Sequence, residues 1–278
     1  MHEPRFKLVT LATGARSLRS LEHGETFHPV IGPMEEARTL HVAQHRFAER
    51  LEPGRDFVVW DVGLGAGANA IATIEAFVRL QTLQSPIHLL SFDQTLDPLE
   101  FALRHAEQLA YPLPWKRELS RLISDGQVKI GPVTWSLETG DFRERLAQGT
   151  GQNVPPQPRA VLFDPYSPAA NPGMWDVEVF RAIRAAAGDD CTLSTYSRST
   201  VIRVRLLLAG WCVGRGAATG EKTETTVAAT RLDLLRDALG PEWLQRVSRS
   251  TAPALLEHGM NLAILVAELR RCPQMRRP

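Results

Sequence analysis

Cysteine is scarce: Cys191, Cys212 and Cys272 are the only three in 278 residues, and no C-x-x-C occurs. That rules out a disulfide framework and predicts a reduced, cytoplasmic chain with free thiols. No run of about 18 apolar residues is present, so no membrane-spanning helix and no membrane partner are expected. The opening Met1-His2-Glu3-Pro4-Arg5 lacks the apolar stretch of a secretory signal. Charge of either sign is also short in the balance. The 32 Lys and Arg against 31 Asp and Glu leave +1, so any polyanion has to be met by local patches. His41 and His45 stand four apart in a helical stretch, but with no H-E-x-x-H and no third ligand a metal site is not expected. A G-x-S-x-G elbow is absent. No internal repeat or low-complexity run appears.

What is present is an ordinary globular composition, 44% apolar and 23% charged, organised around one stretch. Phe57-Val58-Val59-Trp60 leads into Asp61-Val62-Gly63-Leu64-Gly65-Ala66-Gly67-Ala68-Asn69, and Ile71, Ile74, Phe77 and Val78 follow at helical spacing. Strand, acid, glycine turn and helix in that order form a ligand cradle. Glycine lets the backbone approach closely, and the helix start points free N–H groups at whatever binds. The alternative is a turn that only joins strand to helix. Further apolar runs predict strands at 57–62, 87–92, 132–137, 159–163, 191–196, 211–215 and 225–230. Helices are predicted at 34–51, 68–82, 97–110, 115–124, 141–148, 174–187 and 199–209. The alternation argues an α/β, doubly wound, mostly parallel sheet of seven strands, the last two forming an antiparallel hairpin.

The division expected is an N-terminal extension (1–55) with a short hairpin near 6–21, a core (56–230), and a C-terminal extension (231–278). The last is read as helices at 231–239, 241–248 and 255–270 before a frayed basic tail. The stretch 148–158 reads as a surface loop.

In doubly wound sheets, ligands bind at the carboxyl ends of the strands. Asp93 closes the second strand and can accept from ribose hydroxyls. Asp141 closes the third and can cap the next helix, accept from an adenine amino group, or do both. The fourth ends in Asp164-Pro165-Tyr166. An amine attacks a sulfonium methyl only when neutral, with its lone pair in line with the S–C bond. A side-chain oxygen that holds its N–H groups fixes that direction, and a carboxylate can take the proton. A local cap is the alternative for Asp164. Glu35 and Glu36 suit the first turn of a helix as solvated charges, and Trp175 either lines a pocket or fills the core.

The D-x-G-x-G-x-G spacing resembles motif I of S-adenosylmethionine-dependent methyltransferases, with Asp61 toward the cationic end of the cofactor. The D-P-Y turn resembles the signatures of methyltransferases acting on amino nitrogens. More closely, the sequence is similar to the bacterial tRNA 5-methylaminomethyl-2-thiouridine methyltransferases over residues 8 to 230. The motifs are Gly24-Glu25-Thr26-Phe27-His28, Glu35-Glu36-Ala37-Arg38, the glycine turn, Ser91-Phe92-Asp93 and Gly140-Asp141. They continue with Phe163-Asp164-Pro165-Tyr166-Ser167-Pro168, Asn171-Pro172-Gly173-Met174-Trp175, and Thr192-Leu193-Ser194-Thr195-Tyr196.

The resemblance implies a class I (Rossmann-like) fold and methyl transfer from S-adenosylmethionine to the amine of 5-aminomethyl-2-thiouridine at the tRNA wobble position. It implies Asp164 and Tyr166 as catalytic. Asp61, Gly63, Gly65, Gly67, Asn69, Asp93 and Asp141 fall on the cofactor, and Glu25, His28, Glu36, Arg38, Trp175 and Lys222 on the substrate. The departures are Asp93 for glutamate, Pro165 for glycine, Tyr166 for phenylalanine and a less basic Gly220-Glu221-Lys222-Thr223-Glu224. A different amine, from a small molecule or a protein, remains an alternative, as does a non-catalytic scaffold. A dinucleotide oxidoreductase is disfavoured by the glycine spacing.

Overall fold

The computed structural model describes residues 5–80, 85–147, 155–220, 223–251 and 261–276. Two strands, β1 (Phe6–Thr10) and β2 (Arg16–Ser20), form an antiparallel hairpin. The main sheet holds β3 (Phe57–Val62), β4 (Ile87–Asp93), β5 (Gln127–Ile130), β6 (Val133–Thr139), β7 (Ala160–Phe163), β8 (Thr192–Thr195), β9 (Cys212–Gly216) and β10 (Thr225–Ala229). Their order is β5-β6-β4-β3-β7-β8-β10-β9, eight strands among the described residues where seven were expected. From β6 to β8 neighbours run parallel. β10 lies antiparallel between β8 and β9. The chain leaves β3 in one direction through β4 and β6 and returns on the other side through β7 and β8. β3 is therefore the topological switch point, where a crevice opens at the strand ends.

Side chains alternate along the central strands and build a core on each face. Phe57, Val59, Leu89, Trp135 and Leu162 pack under the helices Ala68–Arg79 and Lys116–Asp125. Trp60, Phe92, Val161, Phe163 and Leu193 pack against Val177–Ala186 and Thr200–Leu208. β3 is buried throughout, as a strand covered on both faces must be.

Four expectations change. β5 was not foreseen: it is four residues long and sits antiparallel on the sheet edge, too short for a period to show. The helix expected at 34–51 is interrupted. A π-helical turn occupies Arg38–Val42, and Arg46 takes a left-handed backbone (φ 49) that separates Ala43–His45 from Phe47–Arg50. Residues 231–239 are not a helix. The open edge of β9 offers better partners, and Arg215 N–H donates to Asp237 O (2.8 Å) while Leu239 N–H donates to Val213 O (2.9 Å).

The expected frayed tail is held as well. Buried Gln274 accepts from Val213 N–H (2.7 Å) and donates to the carbonyls of Val213 and Leu239. Of the expected helix 255–270 the structure gives Leu262–Leu269, its Leu265 and Leu269 in the same core as β9. Positions 148–154 of the expected surface loop and the residues 252–260 lie outside the described residues. Among the described residues no helix is long and apolar enough to cross a membrane, and no cluster of potential metal ligands occurs.

Candidate active site

At the switch point a cavity of about 680 Å³ opens between the ends of β3, β4, β7 and β8 and a wall made by residues 19–29. The turn after β3 forms its floor. Gly63 has φ 92, and a Cβ there would stand 2.7 Å from the Asp164 carbonyl oxygen, so only glycine lets these two loops touch. A Cβ on Gly65 would meet the Phe27 ring at 3.1 Å. The N-terminal wall thus rests directly on the glycine turn.

Asp164 is the centre of the polar groups. Its Oδ2 accepts from Asn69 Nδ2 (2.7 Å) and lies 3.3 Å from His28 Nε2 and 3.8 Å from His41 Nε2. His28 Nε2 also lies 3.3 Å from Asn69 Oδ1, and its backbone is left-handed (φ 47). Burial alone would raise the Asp164 pKa. His28 above all, with His41 behind it, outweighs this and holds the carboxyl below its ordinary value. In return, burial would lower the His28 imidazole, and Asp164 leaves it raised.

Glu25 ties the wall to the same loop, accepting from the Ser167 N–H (3.1 Å) and hydroxyl. Tyr166 packs against His23 and Phe27, and burial pushes its phenol up to about 12. Asp93 accepts from Gly65 N–H at 2.8 Å, and burial raises its carboxyl despite that bond.

Of the residues singled out from sequence, Gly63, Gly65, Asp93, Asp164, Tyr166, Glu25, His28 and Glu36 meet at this cavity. Glu36 is buried, not a solvated helix-start charge, while its neighbour Glu35 is exposed. Six do not line it. Asp61 is fully buried beneath the floor, accepting from Ser91 Oγ (2.7 Å), and burial pushes its carboxyl up to about 7. Asn69 turns inward to hold Asp164. Gly67 begins the helix Ala68–Arg79 with φ 83 and faces Leu99.

Asp141 caps the helix Phe142–Ala147 through Arg143 N–H (2.8 Å) and pairs with the Arg143 guanidinium, which lowers its pKa. Arg38 pairs with Glu75 at 2.9 Å. Trp175 is core, donating to the Tyr166 carbonyl (2.8 Å) and so bracing that loop from behind. Lys222 lies outside the described residues. Sequence reasoning gave no role to Tyr196, whose hydroxyl donates to the Pro165 carbonyl (3.2 Å) at the cavity. Its place at the end of β8 was the available signal. It also set aside His41, here beside Asp164.

Comparison with known proteins supplies the chemistry. A family model described as S-adenosyl-L-methionine-dependent methyltransferase matches residues 106–231. The chain is 28% identical to a tRNA 5-methylaminomethyl-2-thiouridine biosynthesis bifunctional protein of Burkholderia vietnamiensis, over 94% of this chain and 39% of that protein. A protein of the same description from Methylibium petroleiphilum is 28% identical over 74% of this chain and 32% of its own length. The chain therefore spans under two fifths of these relatives. The crystal structure of MNMC2 from Aquifex aeolicus superposes with a TM-score of 0.70 at 20% identity, covering 97% of this chain and 85% of that one. It shares the fold.

S-adenosylmethionine carries two positive charges, on its sulfonium and ammonium groups, and one carboxylate. The cavity fits such a group: the carboxylates of Asp93, Glu36 and Asp164 face it, and the glycine turn leaves backbone bare at its floor.

Proposed function

We propose that this chain, a member of the S-adenosylmethionine-dependent methyltransferase family, methylates the aminomethyl nitrogen of 5-aminomethyl-2-thiouridine at the tRNA wobble position. The observation that carries the reading is the Asp164 carboxylate, kept ionised chiefly by His28 and held in place by Asn69 at the floor of an acidic cavity. The relatives' names supply the nucleoside.

S-adenosylmethionine supplies a methyl group on a sulfonium sulfur. Asp93 would hold the ribose hydroxyls, the Gly63–Gly65 backbone would lie along the cofactor, and Glu36 would face its ammonium group. Asp164 would accept an N–H of the neutral amine and turn its lone pair toward the methyl group. A carboxylate held this low is a poor proton acceptor and a good hydrogen-bond acceptor, so its contribution is orientation. His28, raised by the same carboxylate, would donate to it and steady it, and the methylated ammonium would lose its proton to water. Tyr166 and Tyr196 would close the sides. The division into extension, core and C-terminal segment is a proposal of the same standing, in which residues 19–36 belong functionally to the active site.

A different amine is the second reading. It is favoured by the near-zero net charge and by Arg5 at the cavity mouth, which is spent on Glu22 and Asp97.

The test is calorimetric titration with S-adenosylmethionine, then with unmodified and aminomethylated tRNA, followed by methyl-transfer assay. Asp164→Ala is expected to keep cofactor affinity within a few-fold and to abolish transfer. Transfer to a small amine with no response to tRNA would select the second reading. No cofactor binding would overturn both.

A further inference from the structure

Behind Asp164, the helical run 33–45 packs on β8, and two periodicities coincide. Four residues make about one turn of this run, π-helical at Arg38–Val42 and α-helical at Ala43–His45, so His41 and His45 share a face. Two residues along a strand rise about 6.6 Å and return to the same face. His41 and His45 on the run therefore interlock with Thr192 and Ser194 on β8. His45 Nδ1 is 2.7 Å from Thr192 Oγ1 and its Nε2 is 2.8 Å from Ser194 Oγ, which is 2.7 Å from His41 Nδ1. At the foot, Arg50 Nη1 donates to Thr192 Oγ1 at 2.7 Å. At the head, His41 Nε2 points at Asp164 Oδ2 from 3.8 Å and has no hydrogen-bond partner among the described residues. All four rungs are buried.

The direction of this ladder follows from counting protons. A guanidinium only donates, so Thr192 accepts from Arg50 and its own hydrogen goes to His45 Nδ1. Burial, then the charge of Arg50, keep His45 singly protonated. Its proton therefore sits on Nε2 and goes to Ser194. The Ser194 hydroxyl then donates to His41 Nδ1, which leaves the His41 proton on Nε2, facing the carboxylate. The reverse order would strand the Thr192 hydrogen in a buried site and set a lone pair of His41 against Asp164, two penalties at once. Around the ladder stand Arg50, Arg159 and Asp190 at the foot and Asp164, His28 and Glu36 at the head. The Cys191 thiol, pushed up to about 12 by burial, is neutral.

We propose that Arg50 polarises the ladder Thr192–His45–Ser194–His41 in one direction, so that His41 presents an Nε2–H donor to Asp164 and holds its carboxylate as an acceptor aimed at the substrate amine. These are positioning residues: none touches the cavity. The inference rests on the reading of Asp164 as the group that faces the amine, but not on which amine it is.

The first measurement is long-range ¹H–¹⁵N spectroscopy of the full chain labelled with ¹⁵N-histidine, near neutral pH, the signals assigned with His41→Gln and His45→Gln. Both imidazoles are expected in the single Nε2–H tautomer. An Nδ1–H tautomer at either one overturns the proposal.

The second is Thr192→Val, which keeps the side-chain shape and removes the hydroxyl. It is expected to move His41 off the pure Nε2–H tautomer. It should also lower kcat about tenfold, as the carboxylate loses the oriented dipole behind it, with the S-adenosylmethionine Kd unchanged. A folded variant with full kcat overturns the proposal. Should the wild type prove inactive on tRNA, kcat is read on the amine it does methylate, and the tautomer measurement stands regardless.

Discussion

Asp61 illustrates how a residue chosen by pattern can serve another purpose. It occupies the acidic position at the end of β3, yet lies under the cavity floor bonded to Ser91, which in turn accepts from the Trp135 indole at 2.9 Å. Its second oxygen has no partner among the described residues. Burial pushes its carboxyl up to about 7, so the folded chain binds this proton more tightly than the unfolded chain does. Between the ordinary carboxylate pKa and about 7, the native state holds more protons, and stability from this group falls as pH rises, levelling off above about 7. Asp61→Asn should therefore melt like the wild type near pH 4 and progressively higher than it through pH 7. Thermal melts of both proteins across that range check it, and a constant difference in Tm would mean the proton is not shared as described. At this scale the sequence was informative where the chemistry is local. The places of Gly63, Asp93 and Asp164 at the cavity were legible because they follow from a turn or a strand end. The His41–Ser194 contact was not, because it joins side chains 153 residues apart.

Among the elements, the short and the edge-bound were the ones misread. β5 has four residues, and residues 231–239 carry a helical spacing of leucines that the unpaired backbone of β9 overrides. Gln274 completes that edge with an amide that mimics a strand neighbour for Val213. Gln274→Leu should leave the Val213 N–H unpaired in a buried place, at a cost of about 2 kcal/mol. A chemical-denaturation midpoint measures it, and the S-adenosylmethionine affinity should not change. No loss of stability would show that water or a backbone shift replaces the amide. The interrupted helix 34–51 is of the same kind. Periodicity announces a helix, but the π-turn at Arg38–Val42 and the left-handed Arg46 answer to packing on β8, which no local signal reports.

The whole molecule joins a sheet readable from the alternation of apolar runs to a site that the central strands do not complete. The mostly parallel sheet and the crevice at its carboxyl ends follow from general rules for α/β chains. The wall at residues 19–29 does not, and only a resemblance pointed to it. Net charge of +1 means that recruitment of tRNA would depend on local cations. Binding should then weaken log-linearly with salt, with a slope counting the phosphates neutralised. Filter binding of aminomethylated tRNA across a salt series measures that slope, and a flat response would favour a small amine.

The place of β10 bears on how the chain is made. It follows β9 in the sequence but sits between β9 and β8. On the ribosome, β8 and β9 emerge with nothing between them, and β9 has no sheet to join until β10 arrives. The exposed side of β8 is an open strand edge for that interval, the kind of surface that invites pairing with another chain. The half bearing β3 to β7 can fold as it appears, whereas the wall that closes the cavity, although made first, has Asp164 and Ser167 to rest on only once β7 is out. Cofactor can stabilise this chain only after most of it has been synthesised.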